Sequence, residues 1–111
     1  LETEHDISNR QLSKDIGDRL IACFGSILVY WWHFSQNGKR IELNTDDDSI
    51  GGHYLHLLHG KEPTKQQVRA MHTSLILYAE HEYNASTFAA RVIAGTNSDI
   101  YSALSGAIGA L

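Results

Sequence analysis

An all-α fold is predicted, from three observations. Apolar residues recur at three- and four-residue steps through most of the chain, the spacing that lines one face of a helix. No segment alternates with period two over more than a few residues, as a half-buried strand would. Helix stop and start residues fall between the periodic stretches, which makes the connections short, and no internal repeat is visible.

The first helix is expected over about residues 13–34, where Ile16, Leu20, Phe24, Ile27, Leu28, Trp31 and Phe34 share a face. Residues 20–32 are almost wholly apolar, but this run has only 13 residues and is broken by Gly25 and Ser26, whereas a membrane span needs about 20. The expectation is therefore a helix buried on most sides within a large helical core, with Cys23 buried between Ala22 and Phe24. A single cysteine forms no internal disulfide and suits a reducing, cytosolic setting. Asn37 and Gly38 supply a left-handed stop.

After a connector at residues 39–44, Thr45, Asp46, Asp47, Asp48 and Ser49 are expected to begin the second helix. Acidic residues in a first turn offset the positive end of the helix dipole, which is preferred to a role in holding a hard cation. This helix carries Ile50, Tyr54, Leu57 and Leu58 and stops at Gly60. Pro63, then Thr64 with Gln67 three residues on, has the form of a capping box. The third helix follows, with Val68, Met71, Leu75 and Tyr78 on one face. Phe88, Val92 and Ile93 mark a fourth, ending near Thr96 and Asn97. Ser98 is expected to cap a fifth that carries Ile100, Leu104, Ala107, Ile108 and Leu111. Residues 89–110 are rich in Ala and Gly, so helix backbones there are expected to approach closely, within the chain or across a dimer.

At 111 residues and 42% hydrophobic composition the chain is sized for one domain with a real core. Its formal charge of -4 argues against a nucleic-acid partner, which calls for clustered Lys and Arg. The opening LETEHDISNRQL is acidic and lacks the basic-then-apolar order of a signal peptide. It has no initiator Met, and SGAIGAL ends in mid-pattern, so a piece of a longer protein is expected.

The strongest candidate site is residues 78–91, YAEHEYNASTFAAR. Glu80, His81 and Glu82 stand directly before Asn84, Ser86 and Thr87 at a helix junction. Such convergence of ionisable, amide and hydroxyl groups suits a small anionic ligand. The plain structural reading stands beside it: a histidine near a helix end satisfies the last carbonyls, and Asn and Ser are ordinary N-caps.

Seven histidines are unusual for this length. His53, His56 and His59 lie at three-residue steps, yet at about 100° per residue His53 and His59 stand about 120° apart, and no loop cysteine completes a tetrahedral zinc site. A stand-alone helical module holding a metal through His53, His56, His72 and His81 remains the rival reading, with Glu80 and Glu82 as further candidate ligands.

HEYNASTFAARVIAGT followed by SDIYSALSGAIGAL resembles the citrate synthase superfamily. ILVYWWHFSQNGKRI and TDDDSIGGHYLHLLHG are similar to its bacterial 2-methylcitrate synthase branch. The resemblance covers nearly the whole chain and weakens over the first dozen residues. It implies that residues 1–111 are a central part of the large, all-helical domain of a cytoplasmic bacterial homodimer. The N-terminal part, the catalytic turn and the small domain would lie outside the chain. The implied reaction joins oxaloacetate to propionyl-CoA, or to acetyl-CoA, and hydrolyses the thioester to release CoA. Citrate synthase proper is the near alternative within the superfamily. No cofactor, metal or membrane is implied, because the acyl-CoA is a substrate.

Carried over by this resemblance, His81 binds oxaloacetate, Asn84 and Ser86 support the pocket, and Tyr83 has no assigned role. The two catalytic histidines and the aspartate of the superfamily would fall beyond the GAIGAL run. None lies within this chain, which alone is expected to be inactive.

Overall fold

The computed structural model describes residues 10–80, 82 and 84–110. Every regular element among them is helical: α1 (Arg10–Asn37), α2 (Ile50–His59), α3 (Lys65–Tyr78), α4 (Ala85–Gly95) and α5 (Ile100–Gly109). The all-α expectation holds.

α1 extends beyond the predicted span at both ends. Gln11 adds a hydrogen bond one turn on, its Nε2 donating to Asp15 Oδ1 at 2.7 Å. At the far end Gly38 adopts φ 62° and its N–H donates to Phe34 O at 2.8 Å. That is the left-handed cap that glycine enters without a Cβ penalty.

α2 departs from the expectation at its start. Ser49 is the N-cap, with extended backbone and a side chain that accepts from Gly52 N at 3.1 Å. The three aspartates therefore precede the helix, and no acidic residue stands in its first turn. The physical reason is that a serine one residue from the first apolar position satisfies an orphan N–H directly, which ends the helix there. The other end closes as expected, with Gly60 at φ 66° donating to His56 O at 2.8 Å.

α3 begins with the predicted capping box of Thr64 and Gln67, and α4 begins on Asn84. For α5 the cap is Asp99 and not Ser98. Asp99 accepts from Ser102 N at 2.9 Å and from Ser102 Oγ at 2.7 Å, and the Ser102 hydroxyl is the main cause that holds its carboxyl below the usual range. Ser98 instead meets Thr96 Oγ1 at 3.0 Å.

The packing falls into two units, Gly17–Glu80 and Leu1–Ile16 with His81–Leu111. In the first, Val29 of α1 and Leu57 of α2 are buried. Tyr54 lies across α1 at Gly25, its Cδ2 3.4 Å from where a Cβ would stand. Polar ties join the same helices: His33 Nε2 donates to Leu57 O at 3.2 Å, and Ser26 Oγ meets His53 Nε2 at 2.8 Å. In the second unit α4 packs on α5. Ile93 occupies the space that a side chain on Gly106 would fill, and Ile16 and Ala103 are buried. The close approach expected of the Ala- and Gly-rich stretch is present.

The expectation of an α1 enclosed on most sides is not met. Trp31 is 64% and Trp32 53% exposed, and Ile21 and Ile27 are exposed as well. Cys23, expected to be buried, is also exposed. An apolar stretch demands neighbours, and the described residues supply them only on the side where Val29 and Tyr54 lie. No helix among the described residues is long and apolar enough to cross a membrane.

Candidate functional site

The junction between α3 and α4 is held from each side by local hydrogen bonding. α3 runs out at Tyr78, 79% exposed. Ala79 takes the C-cap position and donates to Ile76 O at 3.3 Å. His81 and Tyr83 lie outside the described residues.

Glu82 sits at φ 48°, a left-handed conformation that a non-glycine residue enters at a cost of about 1–2 kcal/mol. The N–H of Asn84 donates to Glu82 O at 2.8 Å, which closes a tight turn. Strained backbone of this kind gathers where a chain must aim side chains.

Asn84 then opens α4. Its backbone is extended and its Oδ1 accepts from Thr87 N at 2.7 Å. The structural role foreseen for this residue is thus real. The cap uses the carbonyl half of the amide, and the NH2 half is the part able to donate to a ligand. Ser86 is half-buried in the first turn and is not the cap. A helix start offers N–H groups and the positive end of the macrodipole to an anion, which fits the chemistry expected of residues 78–91.

Asn84→Ala is expected to lower stability by about 1 kcal/mol through the lost cap, whereas Asn84→Asp retains it. Thermal unfolding of the two variants checks this. An alanine variant as stable as the parent would show that the cap contributes nothing.

Among the other described histidines, His33, His53 and His56 are structural ties. Each ring nitrogen of His53 meets a hydroxyl, Nε2 to Ser26 Oγ at 2.8 Å and Nδ1 to Thr45 Oγ1 at 2.8 Å. His56 Nδ1 donates to Asp47 Oδ2 at 2.7 Å. His72 lies against Gly51, and His59 is exposed at the end of α2. No group of three or more His, Cys, Asp or Glu side chains able to hold a metal is found among the described residues.

The Asp47 to His56 pair and the chain from Ser26 through His53 to Thr45 were not foreseen in the sequence. Partners 9 and 27 residues apart follow no helical or strand period, so no local pattern announces them.

The family model for the citrate synthase C-terminal domain matches residues 1–111, and the chain belongs to the citrate synthase family. It is 57% identical to the 2-methylcitrate synthase of Shewanella oneidensis over 111 residues, all of this chain and 29% of that protein. It is 43% identical to a citrate synthase-related protein of Dictyostelium discoideum, over 86% of this chain and 28% of that one. To citrate synthase 2 of Bacillus subtilis it is 38% identical, over all of this chain and 30% of that protein. The chain thus spans less than a third of the length of these relatives.

Proposed function

We propose that these residues contribute one wall of the oxaloacetate pocket to a full-length 2-methylcitrate synthase, an acyltransferase acting as a cytoplasmic homodimer. The observation that carries this reading is the identity of 57% to a 2-methylcitrate synthase over the whole chain, against 38% to a citrate synthase over the same length. The full enzyme joins oxaloacetate to propionyl-CoA, accepts acetyl-CoA as well, and hydrolyses the resulting thioester to free CoA.

In this reading His81 donates a hydrogen bond to oxaloacetate, and Asn84 and Ser86 support the pocket around it. The fixed helix start at Asn84 supports such a site, because donors set in advance toward a developing or resident negative charge need no rearrangement during reaction. The base that removes the α-proton of the acyl-CoA and the histidines that act with it come from outside these 111 residues. No metal or prosthetic group takes part.

The test is release of CoA thiol by the full-length enzyme with oxaloacetate and each acyl-CoA in turn. A kcat/KM for propionyl-CoA above that for acetyl-CoA is expected. The opposite order would assign the protein to citrate synthase proper, and no release with either would end the reading. The 111-residue polypeptide by itself is expected to release no thiol above background, since positioned acid and base groups supply the chemistry.

A further inference from the structure

Seven large apolar side chains of α1 between Ile21 and Phe34 are 41–64% exposed. At about 100° per residue they fall within one arc of about 160°, from Phe34 and Ile27 at one edge through Trp31 to Ile21 and Trp32 at the other. The side of α1 turned away from this arc carries the buried Val29. It also carries Gly25, Ser26 and His33, through which α1 meets Tyr54, His53 and Leu57 of α2. One side of the helix is thus taken and the other is open. The open side is unbroken by charge, since residues 20–38 hold no Asp, Glu, Lys or Arg.

The size of the arc says that it has a permanent cover. Its side chains leave on the order of 800 Å² of largely apolar surface, against about 300–600 Å² for the largest patch of a typical monomer. Surfaces that meet separable partners keep a polar rim and enrich in Arg, whereas an obligate surface resembles a core cut in half. The arc has the second character. A lipid surface does not fit it, because a helix lying in a membrane interface presents Lys and Arg on its other face, and here that face is spent on α2.

Its width says how many neighbours the cover brings. A helix facing a single core surface shows an apolar stripe of roughly 100°, so an arc of about 160° takes two helices side by side. A second copy of this chain placed by a twofold axis sets α1 against its own equivalent along the centre of the arc, which leaves both edges bare. The source of two such helices is at hand in the parent polypeptide. The 2-methylcitrate synthase of Shewanella oneidensis, 57% identical over all of this chain, has only 29% of its length in the matched stretch.

We infer that the arc of α1 opposite α2 is the docking surface for two apolar helices of the same polypeptide that lie outside residues 1–111, so that α1 is a central helix covered on both sides. The inference rests on one part of the function proposed above, that these residues belong to a longer enzyme. The energy at stake is hydrophobic burial, and no polar contact directs it. Specificity comes from shape alone, with the rings of Trp31 and Trp32 as the largest projections to be received.

The test is photo-crosslinking in the full-length enzyme, with p-benzoylphenylalanine replacing Trp31 or, in a second variant, Ile27. After irradiation the crosslinked product is expected to run at the mass of one chain on a denaturing gel. Its peptides are expected to join α1 to segments outside residues 1–111, with different segments reached from the two positions. A product at twice the mass of one chain overturns the inference in favour of a second copy, and crosslinks confined to residues 1–111 overturn it as well. Where a variant fails to fold, hydroxyl-radical oxidation of the unaltered enzyme carries the test. Trp31 and Trp32 are expected to be protected relative to the same enzyme in urea, and to stay protected on dilution to the monomer. Oxidation as fast as in urea, or protection lost on dilution, overturns the inference. A parent enzyme that releases CoA while Trp31 is open to oxidation overturns this inference alone. Intramolecular crosslinks to outside segments in a parent that releases no CoA support it while the proposed activity fails.

Discussion

In the full-length enzyme His81→Ala is expected to lower kcat/KM about ten- to hundredfold in oxaloacetate-dependent turnover, with the melting temperature held. The basis is the role proposed above, an imidazole donating to a substrate oxygen. A hydrogen bond to a charged group is worth roughly 1.5–3 kcal/mol, which is the stated factor in rate. The competing role is that of a cap on α3. At that end of α3 the Ala79 N–H donates to Ile76 O, which satisfies one of the last four carbonyls. Kinetics and thermal unfolding on the same purified variant separate the two. A folded variant with normal oxaloacetate kinetics and a lowered melting temperature would remove His81 from the site.

Leu57→Ala carries the largest expected loss of stability, about 2–5 kcal/mol, the range for truncating a buried leucine and leaving a cavity. Leu57 is 5% exposed and stands on α2, a helix of 10 residues, too short to persist in water without tertiary contacts. Its carbonyl is also the acceptor for His33 across to α1, so a shift of α2 into the cavity would disturb that bond too. Denaturant unfolding measures the effect. A loss below about 1 kcal/mol would mean that the surroundings close over the gap and that α2 is held chiefly by its polar ties.

Those polar ties were the least legible part of the fold. Thr64 with Gln67, Gly38, Gly60 and Asn84 were all read correctly, because a cap involves atoms within about four residues of one another and depends on residue type at fixed offsets. The errors at helix starts share one cause. Thr45, the three aspartates, Ser98 and Asp99 are all competent to precede a helix, and where several candidates stand in a row composition does not choose among them. Geometry chooses, placing the cap at the residue whose side-chain oxygen reaches the third N–H, Ser49 for α2 and Asp99 for α5.

For the candidate site, residue types and family resemblance together pointed to residues 78–91, and the described part of that stretch has Asn84 as a cap and Glu82 in a left-handed turn. Neither the left-handed backbone at Glu82 nor the seat of His72 on Gly51 was foreseen. A glutamate carries no sequence signal for positive φ. A glycine at the start of a helix reads as a weak helix former until the group resting on it is known.

Helix content, the order of the five helices, most of their ends and membership of the citrate synthase family were determined by the sequence alone, because periodicity, caps and motif residues act over short separations along the chain. The tertiary structure decided which residues the histidines meet, that Asp47 turns to His56, and which apolar faces of α1 are covered. These depend on contacts between residues far apart in the chain, whose energies arise only once the helices have taken their places beside one another.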